Sequence, residues 1–125
     1  MIPNYEEIML PFLKHLSDGQ EHSLRETHDN LADHFSLTDE ELRELLPSGK
    51  QAIFRNRVGW ARIYMKKSGL LISPKRAHFK ITDRGQELLN ENPTEINGAL
   101  LKRYPEFIEF QSIKKPKKKR GYIPI

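Results

Sequence analysis

One face of a predicted long helix carries polar side chains whose chemistry suits a nucleic acid. At about 100° per residue, Gln51, Arg55, Arg62 and Lys66 share one side of a helix predicted over residues 50–68. Arginine contacts phosphates or the O6/N7 edge of guanine, and glutamine pairs with adenine. Exposed helix faces often carry cations for solubility alone, but this face lacks the acids that usually alternate with them. We therefore interpret it as a DNA-contacting face.

Further cations lie in a predicted β-hairpin that follows this helix. Residues 70–73 and 78–81 have the pattern of two short strands, joined by the turn Pro74-Lys75-Arg76-Ala77. Apolar residues alternate with His78 and Lys80 along the second strand, which predicts one packed face and one basic face. An ordinary solvated turn is the alternative interpretation. The candidate DNA-binding residues of helix and hairpin are Lys50, Gln51, Arg55, Arg62, Lys66, Lys75, Arg76 and Lys80.

The charges of the chain are segregated along the sequence. Residues 49–84 hold 10 basic and 1 acidic side chains, whereas residues 1–48 hold 3 basic and 11 acidic ones. Residues 114–125 add 6 basic side chains and no acid, and their composition predicts a disordered tail. Such a tail would add affinity for a polyanion through counterion release, without sequence information. The basic block indicates a surface that meets a polyanion, although a chance cluster of solvated charges is the alternative.

The elements that must position these residues follow from local patterns. Apolar spacing predicts a first helix over residues 5–17. Capping boxes at Ser23-Leu24-Arg25-Glu26 and Thr38-Asp39-Glu40-Glu41 predict helices through about His34 and Leu45. The order of helix, helix, short helix, long helix and hairpin predicts a winged helix-turn-helix. The fold class is therefore mainly α with a small antiparallel β-hairpin.

Two residues of the long helix are assigned to its packed side. Trp60 is predicted to be a core residue because its neighbours on that side are apolar. Arg57 lies in the same apolar arc and is expected to pair with a carboxylate of residues 21–44, since a partly buried arginine usually needs one. Neither is therefore counted among the candidate DNA contacts.

The C-terminal third is predicted to add helices. Thr82-Asp83-Arg84-Gly85 leads into one, and further helix starts are predicted at Asn92-Pro93-Thr94-Glu95 and at Pro105. We divide the chain into a winged-helix domain over residues 1–90, a helical extension or linker toward an absent domain over residues 91–113, and the basic tail.

The sequence offers no constellation typical of catalysis. Cysteine is absent, and the five histidines lack zinc-ligand spacing. There is no H-E-x-x-H, no G-x-S-x-G and no glycine-rich phosphate loop. We predict no metal, no cofactor and no enzymatic activity. No apolar run approaches the ~20 residues of a membrane span, and no signal peptide is evident, so a cytoplasmic location without a membrane partner is expected.

Several motifs together resemble the N-terminal domain of Mrr-type restriction proteins. The most distinctive is Leu46-Pro47-Ser48-Gly49-Lys50-Gln51, continued by Asn56-Arg57-Val58-Gly59-Trp60-Ala61-Arg62. The others are Ile2-Pro3-Asn4-Tyr5, Lys67-Ser68-Gly69-Leu70-Leu71, Phe79-Lys80-Ile81-Thr82-Asp83-Arg84-Gly85 and Tyr104-Pro105-Glu106-Phe107. The resemblance covers about residues 2–110. Ala77-His78 stands where the wing turn of the family usually has a glycine.

The resemblance implies a winged-helix domain that recognises double-stranded DNA, with modified bases, for a restriction endonuclease. In that family a separate C-terminal nuclease domain cuts DNA with a divalent metal. Gln111-Ser112-Ile113-Lys114 has the wrong spacing for the Gln-x-Lys motif of that domain, and no upstream strand or aspartate supports it. The cutting activity is therefore not expected here, whether the chain is an excised domain or a natural binding-only member.

The sequence is also compatible with other functions. The main rival is a winged-helix module for protein interaction or dimerisation, and a stand-alone transcription regulator is a variant of the DNA-binding hypothesis. Association with a second copy of the chain, as a homodimer, is a further possibility. A metal-dependent nuclease fragment is disfavoured for want of ligands. Retention on heparin at moderate salt would separate DNA binding from protein docking.

Overall fold

The computed structural model describes residues 1–114, so residues 115–125 of the predicted basic tail lie outside the described residues. The elements in chain order are α1 (Tyr5–His15), β1 (His22–Ser23), α2 (Leu24–His34), α3 (Asp39–Arg43), α4 (Ile53–Lys67), β2 (Leu71–Ile72), β3 (His78–Ile81), α5 (Asp83–Asn90), α6 (Gly98–Leu101) and α7 (Pro105–Lys114). The fold class is mainly α with a small antiparallel sheet, as predicted. None of the described helices is long and apolar enough to cross a membrane.

Local capping explains where the first helices begin. The Ser23 side chain accepts from the backbone N–H of Glu26 at 3.0 Å, and Thr38 accepts from Glu41 at 3.1 Å. Both boxes are completed by the glutamate side chain, which accepts from the backbone N–H of the cap residue. Each box satisfies backbone donors that a helix N-terminus otherwise leaves without partners. The capping predictions for α2 and α3 are thus confirmed.

The sheet joins the predicted hairpin to a third strand. Its order is β1-β3-β2, antiparallel throughout, with Leu71 opposite Ile81 and His22 opposite Phe79. The hairpin is confirmed, although β2 is shorter than predicted. β1 has only two residues, which is too short to show an alternating pattern in the sequence. Its pairing ties the start of α2 to the second strand of the hairpin.

The core lies between α1, α4 and the inner face of the sheet. Its fully buried members from α1 and α4 are Ile8, Met9, Phe12, Leu13, Val58, Ala61 and Met65. Residues 91–113, predicted to be an extension, contribute to the same core, because Ile96, Leu101 and Phe107 are also fully buried. The ring of Phe107 lies 5.5 Å from that of Tyr64, so α7 packs directly on α4. Ile96, Leu101 and Phe107 thus share the core of residues 1–90, and whether residues 91–113 lead to a further domain stays a prediction.

The predicted start of the long helix was wrong by three residues. We expected it at about Lys50, but α4 begins at Ile53. Leu45 and Ala52 form an antiparallel bridge, and Leu46 donates its N–H to the carbonyl of Gln51 at 2.9 Å. Because these backbone groups pair across the loop, they are not available for a helix. The same bridge ends α3 at Arg43 rather than near Leu45.

A second helix start was also wrong. The prediction at Asn92-Pro93 fails because Asn92 adopts φ +53°, which belongs to the left-handed region, and residues 92–97 are not helical. The helix α6 begins later, with the Asn97 side chain accepting from the N–H of Leu100 at 2.9 Å. The predicted helix at Pro105 is confirmed as α7.

The two packed residues predicted within α4 need correction. Trp60 is half-buried rather than enclosed in the core, and its ring lies edge-on to that of Tyr64 at 6.1 Å. Arg57 has no carboxylate partner among residues 1–114. Its guanidinium instead donates to the backbone carbonyls of Ile2 and Pro3, each at 3.2 Å. Arg57 therefore fixes the N-terminal segment to α4.

Candidate nucleic-acid interface

Two adjacent stripes of α4 have opposite characters. Phe54, Val58, Ala61 and Met65 are buried in the core. The residue after each of them, about 100° further round the helix, gives a second stripe of Arg55, Gly59, Arg62 and Lys66. Arg55 and Lys66 are exposed, whereas Gly59 and Arg62 are partly covered. The predicted basic face of the helix therefore exists and borders its packed face.

Lys50 and Gln51 lie outside this helical stripe. Both are exposed, but they precede α4 in the loop that the Leu45–Ala52 bridge closes. The Gln51 side-chain oxygen accepts from the amide of Asn56 at 3.2 Å, which holds the glutamine against the first turn of α4. The two residues thus stand at the N-terminal end of the helix, not on its face.

Arg62 connects the helix to the hairpin. Its guanidinium carbon lies 5.9 Å from the ring centre of Phe79, which is 2% exposed in β3. A cation over an aromatic face within about 6 Å is attracted by the ring quadrupole. Arg62 consequently brings a positive charge to the junction between α4 and the sheet, where sequence reasoning had placed it on a free polar face.

The tip of the hairpin is held by internal hydrogen bonds. The Ser73 hydroxyl lies 2.9 Å from the carbonyl oxygens of both Lys75 and His78. A ring nitrogen of His78 lies 2.8 Å from the carbonyl of Arg76. Ala77 takes φ +58°, the left-handed conformation that glycine usually supplies, and its carbonyl accepts from the N–H of Leu24 at 2.8 Å. These bonds fix the backbone that carries Lys75 and Arg76.

The cations of the hairpin point into solvent. Arg76 and Lys80 are exposed, and the ammonium of Lys75 lies 3.6 Å from Glu21 with 65% of its side chain accessible. Along β3 the apolar residues Phe79 and Ile81 are buried while Lys80 is not, so the predicted alternation is confirmed. An exposed pair at this distance contributes little, so Lys75 remains available to another anion.

Most of the exposed candidates carry charge that the protein itself does not neutralise. Within residues 1–114, no carboxylate forms an ion pair with Lys50, Arg55, Lys66, Arg76 or Lys80. Elsewhere arginines are paired: Arg84 meets Glu106 at 3.0 Å, and Arg103 meets Glu91 at 2.9 Å. Unpaired cations on α4 and on the neighbouring hairpin make a field suited to phosphate groups.

Gly59, in the middle of the basic stripe, leaves the helix backbone there without a covering side chain. A Cβ built at this position would meet nothing within 4 Å. Glycine inside a helix costs about 1 kcal/mol relative to alanine, and packing does not require it here. The side chains of Arg55 and Arg62 therefore flank a point where a ligand can approach the helix backbone closely.

A buried histidine lies beside this stripe. His28 of α2 is 9% exposed and packs near Phe54, with ring centres 6.1 Å apart. Burial, together with the charge of Arg55, lowers the pKa of His28 to about 4. The imidazole is therefore neutral at physiological pH and adds no charge next to Arg55.

The structure also brings together side chains that the sequence analysis did not connect. One ring nitrogen from each of His15 and His22 and a carboxylate oxygen of Glu26 all lie within 4.8 Å of one another. The spacing of these residues matches no common ligand motif, and the turn between α1 and β1 brings the two histidines together. Burial and the neighbouring His22 lower the pKa of His15. Burial opposes a charge on His22, but hydrogen bonds with Asp18 and Glu26 outweigh it and raise the pKa of His22.

Comparison with known proteins places this α+β domain in a class associated with restriction systems. The family model of the Mrr N-terminal domain matches residues 5–91. The chain belongs to this family, as the motifs predict. It is 30% identical over 93 residues to the Type IV methyl-directed restriction enzyme EcoKMrr of Escherichia coli (strain K12). That match covers 74% of this chain but 30% of the relative's length. No solved structure matches the chain significantly.

Proposed function

We propose that this domain binds double-stranded DNA as the recognition part of an Mrr-like restriction system, with α4 in the major groove and the hairpin as a wing on the backbone. One observation carries the proposal: the unpaired cations of α4 and those of the hairpin belong to two elements that Arg62 and Phe79 join. A single duplex can therefore meet both sets. The major groove, about 12 Å wide, admits a helix of this kind.

The individual roles follow from where each residue lies. Arg55 and Lys66 project from the exposed stripe of α4 and are the proposed groove contacts. Lys50 and Gln51, at the start of α4, suit contacts with phosphates or base edges at one end of the site. Lys75, Arg76 and Lys80 suit the backbone, where they set register without reading sequence. Arg62 is both a contact and the residue that positions the wing.

Finer features of the proposal rest on the family and not on geometry. The E. coli relative is named as a methyl-directed restriction enzyme, which supports a preference for methylated bases in the proposed site. We also propose that this chain binds without hydrolysing DNA, because the family match concerns the N-terminal domain. Cytoplasmic location and dimerisation remain predictions of the sequence.

The alternative function is a protein-interaction or dimerisation module. Residues 1–48 hold 11 acidic and 3 basic side chains, and this acidic block suits a basic protein partner. A partner that binds through these residues would leave the cations of α4 dispensable. The two functions therefore differ in which substitutions abolish binding.

The test is fluorescence-anisotropy titration of plain and methylated duplexes at several stated salt concentrations. Binding with a steep salt dependence, weakened by substitution of the α4 cations, supports the proposal. The matched control replaces Lys14 and Lys102, which are exposed cations outside the proposed interface. Equal losses in control and test variants would show a general charge effect. Absence of duplex binding at low salt would overturn the proposal and favour protein docking.

A further inference from the structure

A cluster of imidazoles and carboxylates lies where three elements meet, within the acidic N-terminal part of the chain. His15 is the last residue of α1, Asp18 follows in the turn, His22 begins β1, and Glu26 is in the first turn of α2. None of these residues belongs to the proposed DNA interface. Two histidines and a carboxylate are the donor types that zinc and similar divalent ions take in proteins.

The geometry around His22 is already ordered. Its Nδ1 lies 2.7 Å from Glu26, and its Nε2 lies 2.9 Å and 3.0 Å from the two oxygens of Asp18. The rings of His15 and His22 are 4.5 Å apart at 46°. The potential ligand atoms of His15, His22 and Glu26 fall within 4.8 Å of one another, so small side-chain adjustments suffice to enclose one ion at about 2 Å from each.

A second observation points to a ligand. The Nε2 atom of His15 is buried and has no hydrogen-bond partner among the described residues. An imidazole nitrogen that is buried without a partner is a costly arrangement, because it loses its hydrogen bond to water and gains nothing in exchange. Coordination of an ion through this nitrogen would relieve the cost.

We propose that His15, His22 and Glu26 form a binding site for a divalent transition-metal ion of the zinc type, with Asp18 positioning His22. The ion takes the place of the proton between Nδ1 of His22 and the carboxylate of Glu26. The Nε2–H of His22 keeps its hydrogen bond to Asp18, the arrangement in which a carboxylate orients a metal-bound histidine. Water completes a four-coordinate shell.

The site has a structural consequence for the wing. His22 pairs with Phe79 across the sheet, so an ion that joins His15, His22 and Glu26 links the end of α1 and the start of α2 to β3. Binding an ion to the folded state alone raises its stability by mass action. The proposed metal would thus stabilise the β1–β3 pairing. This proposal does not depend on whether α4 contacts DNA.

The experiment titrates the untagged, metal-free full chain with Zn²⁺ in competition with a chromophoric chelator, and records the visible absorption of Co²⁺ added in its place. We expect one tight equivalent, a tetrahedral Co²⁺ spectrum and a rise of the thermal midpoint with Zn²⁺. His22→Gln and Glu26→Gln should abolish the tight equivalent, and Asp18→Asn should weaken it about 10- to 100-fold.

The controls separate loss of a ligand from loss of the fold. His34→Gln removes an exposed histidine of α2 outside the cluster and should leave Zn²⁺ affinity unchanged. Glu26→Gln retains a side chain that completes the capping box, so it tests the site even if His22→Gln fails to fold. Absence of a tight equivalent in the parent protein, or equal affinity in Glu26→Gln and His34→Gln, would overturn the proposal.

Discussion

The guanidinium of Arg62 lies over the ring of Phe79, 5.9 Å from its centre. This contact joins the middle of α4 to the buried side of β3, and the next residue of β3, Lys80, faces solvent. One of the cations proposed to meet DNA therefore also contacts the hairpin and helps to position it against α4. Substitution of Arg62 should therefore change both DNA binding and the position of the hairpin, so Arg62 alone is a poor test of groove contact.

The cleaner test of the groove contact is the double substitution Arg55→Ala and Lys66→Ala. Both side chains are exposed and unpaired among the described residues, so the free energy of unfolding should change by no more than about 0.5 kcal/mol. If both contact phosphates, the slope of log affinity against log salt should fall by about 2. Anisotropy titrations measure this slope, and circular dichroism checks the fold.

The basic tail needs separate treatment in that experiment. If the domain binds DNA, this charge should add affinity that is independent of sequence, so the titration is run on the full chain and on a chain that ends at Lys114. Unchanged affinity of the double variant at low salt, in the shorter chain, would contradict the groove role of α4.

Gly59→Ala should separate stability from DNA binding. A Cβ at Gly59 meets nothing within 4 Å, and alanine is the better helix former, so the free energy of unfolding should rise by about 1 kcal/mol. If a duplex approaches the helix backbone between Arg55 and Arg62, the added methyl group should weaken binding. Denaturant unfolding and anisotropy measure the two effects. A variant that is more stable and binds DNA as tightly as the parent would show that no such approach occurs.

Gly85→Ala should have the opposite effect on stability. Here a Cβ would collide with the backbone oxygen of Leu70 and would lie 2.6 Å from a side-chain carbon of Ile81. Because the backbone at Leu70 can shift only at a cost in energy, the free energy of unfolding should fall by about 1–3 kcal/mol, as for other overpacked positions. Urea unfolding of this variant beside Gly59→Ala compares two helical glycines directly. A stability equal to that of the parent would disprove the close packing of α5 on the sheet.

The stability of the domain should fall in mildly acidic solution because of His28. Its pKa of about 4 in the folded protein is below the ordinary value of 6.5, so the unfolded chain binds more protons between these values. The contribution of neutral His28 to the free energy of unfolding is complete above pH 6.5 and is lost as the pH falls toward 4. The loss between pH 7 and pH 5 is about 2 kcal/mol.

The check on this prediction is urea unfolding at pH 7 and pH 5 with a chelator in the buffer, for the parent and for His28→Gln. The variant lacks the titrating group, so its stability should depend less on pH by the stated amount. Parallel losses in the two proteins would assign the acid sensitivity to other groups.

The local parts of the fold could be read from the sequence because their causes are local. A capping box acts over three residues, so Ser23 with Glu26 and Thr38 with Glu41 predicted the starts of α2 and α3. The alternation of Phe79 and Lys80 likewise predicted the two faces of β3. The basic stripe of α4 followed from helical periodicity alone.

Contacts that follow neither from helical periodicity nor from capping were decided only by the tertiary structure. The bridge between Leu45 and Ala52 removed Gln51 from the helix, although its local sequence is compatible with one. Arg57 donates hydrogen bonds to the carbonyls of Ile2 and Pro3, more than 50 residues away, and not to a carboxylate. A side-chain pattern does not encode such partners, because they depend on how the helices pack after each has formed.

The two sites differ in the same way. The stripe of Arg55 and Lys66 lies on one helix, so the sequence by itself determined that these cations share a face. The cluster of His15, His22 and Glu26 exists because a turn reverses the chain after α1 and because β1 pairs with β3. Chain reversal and strand pairing bring donor atoms within a few ångströms whatever their spacing in sequence. That cluster was therefore decided by the tertiary structure.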